Sequence, residues 1–147
     1  MKDVRLLSQP FIPGQLVGAF TNAHLGLGGV CTFVGEVRGG DGVDALELLH
    51  YEKLTLAGMD DLADQALARF DLMGILIAHR VGEMHPGEPI VLVSAAARHR
   101  RAAIQAVDFA MDHLKSDAWF WKREKRGGEW RWIDPRPEDH ADLARWS

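Results

Sequence analysis

The chain has a single cysteine, a single tyrosine and no segment approaching the roughly 18 uncharged apolar residues of a membrane span. Cys31 has no internal partner for a disulfide and belongs to no Cys-x-x-Cys motif, which excludes a disulfide framework and a dithiol redox or zinc site and predicts a reducing compartment. The opening residues, MKDVRLLSQPFIPG, interleave charges and prolines where a signal peptide needs an unbroken apolar core. The expectation is a soluble, cytoplasmic protein. No repeat, low-complexity tract or Ser/Pro-rich linker divides the sequence. The seven histidines are scattered without His-x₃-His or His-Glu-x-x-His spacing, so no metal is expected. A basic excess is also missing: 17 Lys and Arg against 21 Asp and Glu give a net charge of -4, so any affinity for anions must come from a local patch.

What is present fits one domain over residues 1–147, because 47% apolar residues in 147 suffice for a sizeable core. A short helix is predicted around Gly14 to Phe20. After the glycine-rich HLGLGG, the β-favouring VCTFVGEV (Val30 to Val37) reads as a strand. RGGDG (Arg38 to Gly42) is turn chemistry and VDALELLHY (Val43 to Tyr51) alternates, which together predict an antiparallel hairpin. From Met59, apolar residues at Met59, Leu62, Ala66 and Phe70 mark one helical face, with Asp60, Asp61 and Asp64 near its positive end. ILIAHRVG (Ile75 to Gly82) and PIVLVSAAA (Pro89 to Ala97) read as strands about the turn EMHPGE. The second is apolar on both faces and should be central. Ala103, Val107, Ala110 and Leu114 stripe a second helix from Arg101 to Leu114. WFWKREKRGGEWRWI then folds back at Gly127-Gly128 as a C-terminal β-hairpin, followed by a polar end. The fold class expected is α+β, a mainly antiparallel sheet packed with two main helices.

Several residues could do chemistry. In SAAARHRRAAI, Arg98, His99, Arg100 and Arg101 crowd a helix N-terminus, where each cation is disfavoured by about 0.3–1 kcal/mol. A bound anion would offset that cost; side chains fanned into solvent are the plainer alternative. Lys115, in a last helical turn, merely complements the helix dipole when taken alone. Strand alternation puts Phe120, Lys122 and Glu124 on one face and Trp119, Trp121 and Arg123 on the other. Lys122 is then either a desolvated amine of lowered pKa or a lysine snorkelling over an aromatic surface. His79, on an aliphatic strand, reads as a core or edge residue, and Arg38 precedes Gly39-Gly40 where a loop can fold over a site. Cys31 reads as a small mid-strand hydrophobe. A different class of function, a nucleic-acid or nucleotide binding module, would use RHRR and the tryptophan-rich KREKR hairpin, against the acidic net charge.

In this order and spacing, FVGEVRGGDGVDALELLHY, IAHRVGEMHPGE, SAAARHRRAAI, MDHLKSDAWFWKRE and GGEWRW resemble the catalytic (large) subunit family of molybdopterin synthase over most of the chain. The resemblance implies an α/β hammerhead-like fold and a sulfurtransferase of molybdenum cofactor biosynthesis. Such an enzyme installs a dithiolene on cyclic pyranopterin monophosphate to give molybdopterin. It implies that sulfur arrives as the C-terminal Gly-Gly thiocarboxylate of a small ubiquitin-like subunit, and that two copies of this chain form a homodimer at the centre of a heterotetramer. No cofactor, nucleic acid or membrane is implied. By matching motif, Lys115 and Lys122 would be catalytic, which reverses the plain reading of Lys115. Arg38, His99, Arg100 and Arg136 would bind substrate. The lone Cys31 agrees with sulfur that arrives already activated. Trp119 departs from the proline common in the family, Leu49 from a glutamate, and EKLTLAGM is longer than the family form.

Overall fold

The computed structural model describes residues 1–116, 119–134 and 136–147. The chain runs β1 (Lys2–Leu7), α1 (Pro13–Ala23), β2 (Gly29–Glu36), β3 (Ala45–His50), α2 (Glu52–Arg69) and β4 (Gly74–Arg80). It continues through β5 (Gly82–Met84), β6 (Pro89–Ala97), α3 (Arg100–Ser116), β7 (Phe120–Arg126), β8 (Glu129–Ile133) and α4 (Pro137–Ala144). The strands form two four-stranded sheets, ordered β1-β4-β6-β2 and β5-β3-β7-β8. Every pairing is antiparallel except the parallel β1–β4. The α+β expectation holds, but with two sheets in place of one.

β6 carries no charge and is buried along nearly its whole length, as an inner strand covered on both faces must be. Its alternation sorts two cores. Leu92 and Ala96 pack with Leu76, Ala78 and Phe20 of α1 on one face. Val91, Val93 and Ala95 pack with Ile75, Ile77, and with α2 and α3 on the other. Small residues at Ala63, Ala66, Ala103, Ala106 and Ala110 let both helices approach the sheet closely.

The predicted hairpin of the second and third strands does not form. β2 pairs with β6, where Thr32 and Ser94 share a hydroxyl hydrogen bond of 2.7 Å, and β3 pairs with β5 and β7. RGGDG is a connection between sheets: Val37 donates its N–H to the Glu88 carbonyl and accepts from Gly87, which ties the end of β2 to the β5–β6 turn. Turn chemistry fixes a change of direction, not a strand partner. Similarly, EMHPGE is not wholly a turn. Gly82, at φ 91, turns the chain so that β5 leaves the first sheet and pairs with β3. α2 starts at Glu52, upstream of Met59, so the long EKLTLAGM segment is its first two turns. β1 and α4 had no counterpart in the sequence reading. The β7–β8 hairpin does form about Gly127-Gly128, whose φ values of 56 and 84 suit a two-residue turn with both centres left-handed. No helix among the described residues is long and apolar enough to cross a membrane.

Candidate active site

A cavity of about 520 Å³ opens where the end of α3 meets both sheets. Leu46 and Leu48 of β3, Ile90 of β6 and Leu114 of α3 supply apolar walls; Phe120, Lys122, His79 and Lys115 complete the inner part, and Asp139 and His140 of α4 lie on it from the C-terminal side. Register explains Lys122. It is the cross-strand partner of Leu48, so both project to the same face, together with Phe120. Within β7 the predicted pairing of Phe120 and Lys122 on one face holds, but Trp119 precedes the strand and packs with Phe120 against the core instead of joining Trp121. On the opposite face Trp121 meets Tyr51 edge-on at 5.1 Å.

Lys115 occupies the last turn of α3. Its side chain is open to solvent through the pocket mouth, while protein crowds its other sides. That crowding lowers its pKa, Lys122 and Arg136 lower it further, and Asp139 opposes them. Arg136 is exposed and donates to Asp139 Oδ1 at 3.2 Å, so it is a rim cation already paired with a carboxylate. Lys115 therefore gives up a proton more readily than an ordinary lysine, inside an apolar cavity with two further cations near it.

Trp119 is held in place by packing. Thr55 Oγ1 donates to its carbonyl at 3.0 Å, and its indole fills the space above Gly58, where an added Cβ would lie 2.4 Å from the ring. The connection between the two lysines is thus anchored on α2.

His79 is 5% exposed and lines the same cavity. Nδ1 donates to the Arg80 carbonyl at 2.8 Å and the ring stacks on Phe120, with centroids 4.1 Å apart and planes 19° from parallel. Burial pushes its pKa down from the ordinary 6.5 to about 4; the Arg80 carbonyl opposes this and the Lys115 charge adds to it. Below pH 6.5 the unfolded chain binds a proton that the folded chain refuses. The stabilisation is complete above about pH 6.5 and disappears as pH falls toward 4, by up to about 3 kcal/mol. Denaturant unfolding from pH 7 to pH 4 is expected to show this loss, and His79→Leu to flatten it. An unchanged pH slope in that variant would place the titration elsewhere.

The remaining predicted residues lie apart. Arg98 to Arg101 are all exposed at the N-terminal end of α3, where Ala103 donates its N–H to the His99 carbonyl. Lys115 lies fifteen residue steps along the helix from Arg100, about 22 Å along the axis. Arg100 instead borders a shallower hollow of about 350 Å³ with Val30, Cys31, Thr32, Ala103 and Ile104. Arg38 is exposed in the loop after β2. Among the described residues, none of Arg38, Arg98, Arg100 or Arg101 forms an ion pair. Within one protomer, His99 and Arg100 therefore stand apart from the pocket of the lysines, at the opposite end of α3.

The KREKR run is largely self-neutralised: Arg123 bonds Glu47 at 2.7 Å, Arg126 pairs with Glu124 at 3.3 Å, and Arg123 lies 4.5 Å over Trp130. Such a surface offers few free cations to phosphates. Sequence reasoning missed Asp139 and His140 because α4 went unread, although Pro137 followed by Glu138-Asp139 is a helix-start signal.

Comparison with known proteins adds the following. A profile of one family, described as MoaE protein, matches residues 6–117. The molybdopterin synthase catalytic subunit of Caulobacter vibrioides is 46% identical over 144 residues, covering 97% of this chain and 96% of its own length. Among solved structures, molybdopterin cofactor biosynthesis protein E from Burkholderia multivorans superposes with a TM-score of 0.84 at 39% identity, covering 99% of this chain and 97% of that one. A complex of subunits 1 and 2 of molybdopterin-converting factor from Helicobacter pylori gives a TM-score of 0.78 at 20% identity, over 90% and 91% of the two chains, a likeness of fold alone.

Proposed function

The chain belongs to the MoaE family, and from that premise we propose that it is the sulfur-transferring catalytic subunit of a molybdopterin synthase, with Lys115 and Lys122 as its catalytic groups. The observation that carries this assignment of residues is the convergence of both lysines in one apolar cavity, with the pKa of Lys115 lowered there.

The chemistry fits the reading. A thiocarboxylate tail and a cyclic phosphate are both anions, and the lysines at the pocket mouth can pair with them. A Gly-Gly terminus needs little side-chain room, so a small ubiquitin-like partner can thread its tail between the apolar walls. Lys122 pairs with the anionic ligand, and Lys115 is the group that exchanges protons with the reacting sulfur and oxygen atoms. Cys31 does not supply the sulfur: it borders the other hollow, and burial raises its pKa, which makes it a poorer thiolate. The sulfur therefore comes from the partner. The Helicobacter pylori fold neighbour is itself a two-subunit complex.

Arg38, His99, Arg100 and Arg136 bind substrate in this reading. His99 and Arg100 reach the lysine pocket from a second copy of the chain, at the centre of a heterotetramer. β2 is an edge strand; its Phe33 and the neighbouring Ile104 of α3 are 44% and 54% exposed, an apolar surface suited to a homodimer. The test is reconstitution with a thiocarboxylated small partner and the cyclic pterin. Absence of dithiolene product with competent partners would sink the assignment. Mixing Lys115→Ala copies with Arg100→Ala copies tests the shared site: each alone should be impaired, and the mixture should recover about a quarter of wild-type activity, since half the dimers carry one intact site. No recovery would mean that each protomer's site is self-contained.

A further inference from the structure

Resting on that functional reading, we propose that His79 contacts bound ligand, its Nε2 acting as a fixed acceptor for a neutral N–H group. The donor is either a ring N–H of the pterin or a backbone N–H of the partner's Gly-Gly tail.

A histidine is an expensive choice for β4. The strand is buried at every position, and its neighbours Ile75, Leu76, Ile77 and Ala78 are aliphatic and at most 2% exposed. If the position only filled space, an aliphatic residue would fit the strand better. The ring is also held in one pose. Its Nδ1 must be the protonated nitrogen, because the Arg80 carbonyl can only accept, and this leaves a lone pair on Nε2. Stacking on Phe120 blocks rotation, and Phe120 belongs to the strand that carries Lys122.

Nε2 has no protein partner among the described residues. It is not sealed off either: the one fully enclosed, unpartnered side-chain nitrogen or oxygen among them is Arg80 Nε. Since His79 lines the cavity, the free lone pair opens into it. The groups around this acceptor define what it recognises. Lys115 and Lys122 can only donate while charged, so they take the anionic parts of a ligand. Arg80 is engaged with Glu88 at 3.1 Å and with the Glu83 carbonyl at 3.3 Å, and Asp139 is engaged with Arg136. What remains for a neutral imidazole on the β4 side is an uncharged donor. A buried acceptor discriminates by leaving itself unpaired when that donor is absent.

The experiment uses the intact complex and two variants. His79→Leu removes the acceptor at similar volume and His79→Gln keeps an acceptor oxygen. The KM for the cyclic pterin, the Kd for the small partner and thermal unfolding are measured for each. In His79→Leu, one of the two constants should rise about 10–100-fold with the fold retained, and His79→Gln should recover part of it. A raised KM identifies the pterin as donor and a raised Kd identifies the tail. Both constants unchanged in a folded His79→Leu overturn the proposal while leaving the functional reading intact. If neither variant folds, ¹⁵N-imidazole NMR of the wild-type protein decides. The Nε2 resonance should move on addition of the pterin or a Gly-Gly-ending peptide, and no movement at saturation with either overturns it. Wild-type protein that binds neither ligand would sink both the reading and the inference.

Discussion

Lys115→Ala is expected to reduce dithiolene formation about 10³-fold, with folding and small-partner binding nearly unchanged. Side-chain removal at the pocket mouth creates no enclosed void, because Lys115 is already open to solvent on that side. What disappears is an amine whose proton is loosened by crowding and by the charges of Lys122 and Arg136. Lys115→Arg should rescue little, since a guanidinium keeps its proton at any accessible pH. Single-turnover product formation with saturating partner, beside a direct Kd for that partner, separates the loss of chemistry from a loss of assembly. Turnover retained within about tenfold of wild type would transfer the proton-exchanging role to another group.

The largest expected effect on stability comes from a residue outside the pocket. Gly28 has φ +135, and a Cβ there would lie 2.4 Å from the Arg98 carbonyl oxygen and 2.5 Å from that of Ala97. A non-glycine residue would be strained by about 1–3 kcal/mol from the dihedral alone. Both obstacles are also backbone and cannot step aside without disturbing the β2–β6 pairing next to Gly29 and Ala97. Gly28→Ala should therefore destabilise by about 4 kcal/mol. Gly26 makes a useful control: its φ is also positive, at 77, but a Cβ there meets nothing within 4 Å. Gly26→Ala should cost only the dihedral strain, about 1–2 kcal/mol. Equal losses in the two variants, read by denaturant unfolding, would show that the close approach at Gly28 carries no energy of its own.

Most elements could be read from residue periodicity. The stripe through Ala103, Val107, Ala110 and Leu114 gave α3, and Gly127-Gly128 gave the last hairpin. β1 was illegible because Lys2, Asp3 and Arg5 break its apolar pattern; its strand character comes from pairing with β4. The RGGDG turn misled because pairing of β2 with β6 is decided by residues some sixty positions away in sequence. For the site, alternation placed Phe120 and Lys122 together. It did not connect them to His79, which belongs to the other sheet and meets Phe120 only after both sheets fold against each other. Lys115 alone looked like a helix-dipole partner, and only the family resemblance pointed to chemistry. The separation of Arg100 from Lys115 was implicit in the length of the helix joining them.

That helix restricts how the sequence can drift. Loops such as RGGDG tolerate added or lost residues, since their ends need only meet. α3 has no such freedom. One residue inserted between Arg100 and Lys115 would turn one end against the other by about 100° and push them about 1.5 Å further apart. Either the Lys115 pocket or the β2-side hollow would then lose its side chain. The spacing between HRR and HLK should hold a fixed length even where the residues between them change.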